Sequence, residues 1–149
     1  MSPIKCDLLL VEDDENDVYF MKRAMAKAGL QPPIHVAING QDVVDYLSGT
    51  GRYADRAAFP LPRCIFLDLK LPFLSGFQVL EWMRIQPKVK EITVFVLTSS
   101  PEDSDRKRAR ELGAKAYLVK PPTAPMLLDM LQHLPECLPK DATGAVPAF

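Results

Sequence analysis

Four apolar runs in this chain end abruptly in groups that can do chemistry. CDLLLV runs into Glu12-Asp13-Asp14, CIFL into Asp68, ITVFVL into Thr98-Ser99-Ser100, and AYLV into Lys120-Pro121. A polar group that directly follows a buried run sits at a defined edge, unlike a scattered surface charge. Three or four carboxylates gathered at one edge repel one another unless a cation stands among them. Hard oxygen ligands in incomplete number suit Mg²⁺, which keeps waters and accepts phosphate oxygens. A carboxylate beside such an ion can attack phosphorus and form an acyl phosphate. The ion and a lysine would neutralise charge on the transferring group, and a threonine hydroxyl can donate to a phosphoryl oxygen.

The elements that must position these groups alternate regularly. Apolar runs of strand length occupy Cys6 to Val11, Ile34 to Ile38, Cys64 to Leu67, Ile92 to Thr98 and Ala116 to Val119. Their apolarity is continuous, which predicts strands buried on both faces, as in a parallel sheet. Helical patterns lie between them. Val18, Met21, Met25 and Ala28 share one face, with Gly29 as the stop; Val43, Val44 and Leu47 mark a short helix ending near Gly49; Phe77, Leu80 and Met83 mark a third, stopped by Pro87. The fourth is expected to open at Ser100-Pro101-Glu102-Asp103, read as cap, first-turn proline and acid at the positive end of the dipole, and to end at Gly113. The fifth carries Leu127, Met130, Leu131 and Leu134. Strand–helix alternation repeated five times predicts a doubly wound α/β fold with right-handed crossovers. In that architecture function gathers at the carboxyl ends of the strands. Two stretches are less regular: the link Thr50 to Pro62, and a tail at 136–149 rich in Pro, Ala and Gly.

Composition narrows the class. A chain of 149 residues with 48% hydrophobic residues fits one domain with its own core. A net charge of -1 gives no sign of attraction to nucleic acid or membrane, and no apolar run is long enough to span a bilayer. Residues Met1 to Lys5 lack the features of a signal peptide. Cys6, Cys64 and Cys137 match no zinc or redox motif; Cys6 and Cys64 sit in apolar segments, where reduced, buried thiols are expected, and structural cysteines favour a cytoplasmic setting. The basic run Arg106-Lys107-Arg108 with Arg110 is interleaved with Asp103, Asp105 and Glu111 and reads as a solvated helix face. His35 and His133 have no companion at ligand spacing, Trp82 and Phe77 read as packing, Asp14 as a helix cap, and no Gly-rich nucleotide loop is present.

This constellation resembles the receiver domain of bacterial response regulators, from about Lys5 to about Pro135. The resemblance implies a five-stranded parallel sheet of order 2-1-3-4-5 flanked by five helices, a receiver at 1–135 and a separate tail at 136–149. It makes Asp68, in FLDLKLP, the phosphoacceptor and Glu12 with Asp13 the acidic pair. Asp13, Asp68 and the backbone carbonyl of Lys70 become the protein's ligands to Mg²⁺, with Glu12 beside them. Thr98 and Tyr117 become the switch pair, and Lys120 contacts phosphate through a loop whose Lys120–Pro121 bond is cis in this family. Leu71-Pro72 with Gly76 matches the family's turn after the phosphoacceptor. Lys70 and Ser100 depart from the commonest pattern at positions that influence how fast water removes the phosphoryl group. The 50–62 link and the tail are similar to a subgroup of stand-alone regulators that includes partners of bacterial phytochrome kinases.

The implied function is phosphoryl acceptance from a sensor histidine kinase docked near the first helix, with no external substrate turned over. Only 149 − 120 = 29 residues follow Lys120, too few for both a fifth helix and a three-helix DNA-binding module. The output expected is therefore protein–protein contact, including a homodimer through the fifth helix and the tail. Two rivals are weighed. A phosphatase of the haloacid dehalogenase type also attacks with a strand-end Asp but expects a second Asp where Lys70 stands. A phosphorylation-independent adaptor would have no need of Glu12, Asp13, Asp68, Thr98 and Lys120 together.

Overall fold

Strands whose side chains are buried on both faces need helices on both faces, and the computed structural model, described here for residues 6–30 and 32–137, supplies them. The order is β1 Leu8–Val11, α1 Glu15–Lys27, β2 Ile34–Ala37, α2 Gly40–Ser48, β3 Cys64–Leu67, α3 Gly76–Arg84, β4 Thr93–Thr98, α4 Asp103–Glu111, β5 Ala116–Val119 and α5 Ala124–Leu131. All neighbouring strands are parallel, in the order β2-β1-β3-β4-β5. This is the doubly wound, flavodoxin-like architecture.

The pleat divides the core in two. Leu8, Leu10, Cys64, Phe66, Phe95 and Leu97 face α1 and α5, where Met21, Met25, Leu127, Met130 and Leu131 close over them. Leu9, Val11, Ile65, Leu67 and Val94 face α2 and α3, against Val43, Leu47, Val79, Leu80 and Met83. The alternation of period two along each strand fixes the register, since a one-residue slip would exchange the two cores.

Local signals act as the residue types suggest, with one exception. Asp14 caps α1 by accepting from the Asn16 N–H at 2.8 Å. Asn39 caps α2, Ser75 and Gln78 form a capping box on α3, and Thr123 caps α5. Gly49 closes α2 in the left-handed region. The exception is α4, which starts at Asp103 and not in the Ser100-Pro101 stretch. Ser100 is buried and turned to other use.

The 50–62 link is packed against the fold. A 3-10 turn at Gly51–Tyr53 buries Tyr53, and Phe59 packs beside Tyr46, Tyr53 and His35. Arg56 donates to the carbonyls of Tyr46 at 2.7 Å and Leu47 at 2.8 Å, capping the end of α2.

The cysteines correct the sequence reading. Cys6 and Cys137 are not reduced thiols; they form a disulfide with Cα atoms 5.3 Å apart. Spacing could not show this, because the two positions lie 131 residues apart and meet only when α5 packs beside β1. Cys64 is a buried thiol, as expected. Four apolar residues assigned to a dimer face, Leu127, Met130, Leu131 and Leu134, are spent on the core. Only Met126 and Leu128 of that set stay half-buried. The tail assigned to 136–149 lies, from residue 138 onward, outside the described residues.

Candidate functional site

Backbone hydrogen bonds carry the sheet pattern one step past the strand ends and line up the polar groups. The Glu12 N–H donates to the Ala37 carbonyl at 2.9 Å, the Asp68 N–H to the Val11 carbonyl at 3.2 Å, and the Lys120 N–H to the Thr98 carbonyl at 2.8 Å. Glu12, Asp68, Thr98 and Lys120 thus stand along one edge. The α3 amino end presses on this edge from behind. Gly76 donates to the Leu69 carbonyl at 2.9 Å, and a Cβ added there would meet the Asp68 carbonyl oxygen at 2.4 Å. Glycine is required at this close approach because the opposing atoms are backbone.

Lys120 is the hub. Its Nζ donates to Glu12 Oε1, to Asp17 Oδ2 at 2.8 Å and to Asp68 Oδ2 at 2.9 Å. The Lys120–Pro121 bond is cis. Glu12 and Asp68 are buried, whereas Asp13 is exposed at the mouth. Burial disfavours the charged form of Glu12 and, with the nearby Asp68 charge, overrides Lys120 to push its carboxyl up to about 7. Burial acts on Lys120 in the opposite sense, but the hydrogen bonds to Asp17, Asp68 and Glu12 outweigh it and hold the ammonium charged.

Carboxylate oxygens of Glu12, Asp13 and Asp68 lie within 4.8 Å of one another. One ammonium cannot balance this many acids, and the donors are hard oxygens with an open, exposed side at Asp13. The set fits a small divalent cation that keeps some of its waters. Lys70 follows on the turn after Asp68; its N–H donates to Asp68 Oδ1 at 3.2 Å and its side chain is exposed.

Thr98 is fully buried next along the edge and leads into a polar chain. The Ser100 N–H donates to Thr98 Oγ1 at 3.4 Å, the Ser100 hydroxyl to Asp105 Oδ2 at 2.7 Å, and the Tyr117 hydroxyl to the Ser100 carbonyl at 2.7 Å. Arg106 lies over the Tyr117 ring at 4.7 Å. Burial, foremost, raises the Tyr117 phenol above its ordinary value, so it stays a donor.

The structure therefore brings Glu12, Asp13, Asp68 and Lys120 together, with Thr98 and Tyr117 joined through Ser100. Sequence reasoning missed the roles that three residues take. Asp17 sits one turn past the Asp14 cap, a spacing that returns it to the pocket, but a first-turn acid is ordinarily explained by the helix dipole. Ser100 was read as a helix cap and as a position that influences phosphoryl removal, not as the link from Thr98 to Asp105 and Tyr117. Arg106 was read as part of a solvated face, a role that exposed Lys107 and Arg110 do fill.

Comparison with known proteins agrees with this geometry. The response regulator receiver domain model matches residues 8–132. The probable methanogenesis regulatory protein FilR2 of Methanothrix harundinacea is 34% identical over 76% of this chain and 71% of its own. Response regulator Rcp1 of Synechocystis is 30% identical over 85% of this chain and 84% of its own. Among solved structures, the bacteriophytochrome response regulator AtBRR superposes with a TM-score of 0.77 at 36% identity, covering 89% of this chain and 94% of that one. The phosphorylated cyanobacterial phytochrome response regulator RcpA gives 0.74 at 27%, covering 89% and 93%. The Mn²⁺-bound form of Rcp1 gives 0.71 at 29%, covering 87% and 91%. With its sheet order, acid pocket and cis-proline lysine, this chain belongs to the response regulator receiver domain family, and its structural relatives include phytochrome response regulators.

Proposed function

We propose that Asp68 accepts a phosphoryl group from a histidine kinase and that the chain signals by protein–protein contact. The observation that carries this reading is Lys120 bonded to Asp68 Oδ2 and Glu12 while Asp13 offers an oxygen within 4.8 Å of both acids. Mg²⁺ held by Asp13, Asp68 and the Lys70 carbonyl, with Glu12 beside them, would supply positive charge to the transferring group.

An Asp68 carboxylate oxygen attacks phosphorus in line, the O–P bond forms, and the P–N bond to the kinase imidazole breaks, returning neutral histidine once protonated. The Lys70 N–H and the Lys120 ammonium orient the two Asp68 oxygens before attack. As the carboxylate becomes an acyl phosphate, Lys120 turns from Asp68 Oδ2 to a phosphoryl oxygen, and Thr98 donates its hydroxyl to another. Thr98 then pulls on Ser100, and through it on Tyr117 and α4.

AtBRR and RcpA, by their descriptions phytochrome response regulators, support a phytochrome-type kinase as the donor, and a cytoplasmic setting belongs to the same reading. Exposed Lys70, where the phosphatase rival needs an Asp, supports a protein that turns over no external substrate. Pairing of two copies through α5 and the tail now rests on Met126 and Leu128; a monomer before and after phosphorylation, measured by sedimentation, would end that part of the reading.

Intact mass after incubation with acetyl phosphate tests the core of the proposal. One phosphoryl group gained with Mg²⁺, none without it, and none in Asp68→Asn is the expected result. A wild type that gains nothing from acetyl phosphate or from phosphorylated histidine kinases would refute it.

A further inference from the structure

Cys6 and Cys137 tie together the two ends of the described fold. Cys6 lies two residues before β1, and Cys137 closes the 3-10 turn Pro135–Cys137 that follows α5. Their Cα separation of 5.3 Å is in the range a disulfide needs. Both are 8% exposed, at the rim of the core formed by Leu8, Met25, Leu131 and Leu134, while Cys64 is wholly enclosed in the same cluster. Apart from this bond, the turn is held by Leu134 and by the Cys137 N–H donating to the Leu134 carbonyl at 2.9 Å. The sulfurs sit at the opposite edge of the sheet from the acid pocket. Six residues of extended chain separate Cys6 from Glu12, roughly 20 Å.

We propose that Cys6 and Cys137 form a reversible thiol–disulfide site that fastens the end of α5 to β1 when oxidised and releases it when reduced. The exchanging partner is a glutathione-type thiol. Oxidation transfers two electrons and two protons from the cysteine thiols to a disulfide oxidant, leaving one S–S bond and two small thiols. Two small thiols reverse it: the first forms a mixed disulfide and frees one cysteine, and the second releases the other cysteine and leaves as the small disulfide. The inference rests on the cytoplasmic setting of the phosphorelay reading, because disulfides in a reducing compartment are usually transient or redox-sensing. Its distance from the pocket makes it a second input, independent of phosphorylation. α5 is where it acts: the helix runs only from Ala124 to Leu131, and its end packs on α1.

The full chain, equilibrated in glutathione buffers from reducing to oxidising and then alkylated, reads the pair directly by mass. Two alkylatable thiols are expected to disappear together on oxidation and return on reduction, with Cys64 common to both states. Opening a closed loop of 131 residues should make the melting temperature of the reduced form lower by roughly 10–20 °C. Amide exchange over residues 127–137 should quicken in the reduced form. Cys6→Ser and Cys137→Ser should match reduced wild type and ignore the buffer; should either fail to fold, the wild-type titration alone decides. A pair that stays reduced under oxidising conditions, that glutathione cannot reduce, or that changes state without altering exchange at 127–137 overturns the proposal. Phosphorylation by acetyl phosphate is measured in both states. Equal yields are expected, unequal yields overturn the independence claimed here, and absence of phosphorylation in both counts against the phosphorelay reading alone.

Discussion

Replacing Lys120 with methionine tests whether the pocket is a charge-balanced device or a fortuitous cluster. Methionine keeps most of the aliphatic stem and removes the ammonium. Three ion pairs are lost, to Glu12, Asp68 and Asp17, whose side chains are 3%, 8% and 33% exposed. The Asp17 pair is the most exposed and contributes least. Breaking a buried pair by removing one partner costs about 3–5 kcal/mol if the other charge must remain. It need not remain at low pH. Glu12, pushed up to about 7 by burial first and Asp68 second, is largely protonated at pH 6 with Lys120 present. Without Lys120 it is driven higher still. Its folded value lies above its ordinary one, so stability falls as pH rises towards that folded value. The variant extends this window upward. The expected loss is thus about 1–2 kcal/mol at pH 6 and about 3–4 kcal/mol at pH 8.5, or about 3–6 °C and 9–12 °C in melting temperature. Millimolar Mg²⁺ should restore more of the loss in the variant than it adds to wild type, since it substitutes for the missing charge. Thermal unfolding at both pH values, with and without Mg²⁺, measures all four quantities. An equal loss at the two pH values, or equal stabilisation of both proteins by Mg²⁺, would refute the reasoning.

Four further outcomes are expected. Mg²⁺ affinity, measured calorimetrically, should fall about tenfold per pH unit below 7 as Glu12 takes up its proton, and level off above it. Gly76→Ala places a Cβ 2.4 Å from the Asp68 carbonyl oxygen and 2.7 Å from the Leu69 Cα, so denaturant unfolding should show a loss of about 2–3 kcal/mol. Phe73 is 84% exposed and holds φ at 69°, so Phe73→Gly should stabilise by about 0.5–1 kcal/mol in the same assay. Ser100→Ala removes the donor to Asp105 and should leave Asp68 able to take up a phosphoryl group while reducing phosphorylation-dependent shifts of the Tyr117 resonances.

The sheet and the heart of the pocket were legible because both-face burial leaves continuous apolarity. The first polar residue after such a run then marks the strand's carboxyl end, as Asp68 does after CIFL. The boundaries were less legible. Ile38 extends the apolar run of β2 yet is 56% exposed, because the chain turns away after Ala37. Ser100-Pro101 has the grammar of a helix start, but tertiary partners at Thr98, Asp105 and Tyr117 claim the serine first. The disulfide was invisible for a different reason: its connectivity belongs to the packing of α5 on β1, and neither cysteine's neighbourhood in sequence differs from that of a buried thiol. Arg106 stood in a charged run whose other members face solvent, and only its contacts with the ring and carbonyl of Tyr117 tie it to the polar chain.

On the proposed phosphoryl transfer, Ser100 would carry a charge event at Asp68 to α4 and β5. Besides accepting from the Glu102 N–H, it makes one bond to each of three elements. Its N–H reaches Thr98 at the end of β4, its hydroxyl holds Asp105 in the first turn of α4, and its carbonyl receives the Tyr117 hydroxyl from β5. The residue is buried, so none of these bonds is readily exchanged for water, and losing one without replacement leaves an unsatisfied polar group. Displacement of Thr98 towards a new phosphoryl oxygen therefore cannot be absorbed at Ser100 alone. Either the Thr98 contact, the weakest of the three at 3.4 Å, is given up, or the serine moves and carries Asp105 and Tyr117 with it. Arg106, stacked on the same tyrosine and adjacent to Asp105, joins α4 to β5 on the outside. The two links make the α4–β5 surface respond as a unit, which is what a readout by protein–protein contact requires.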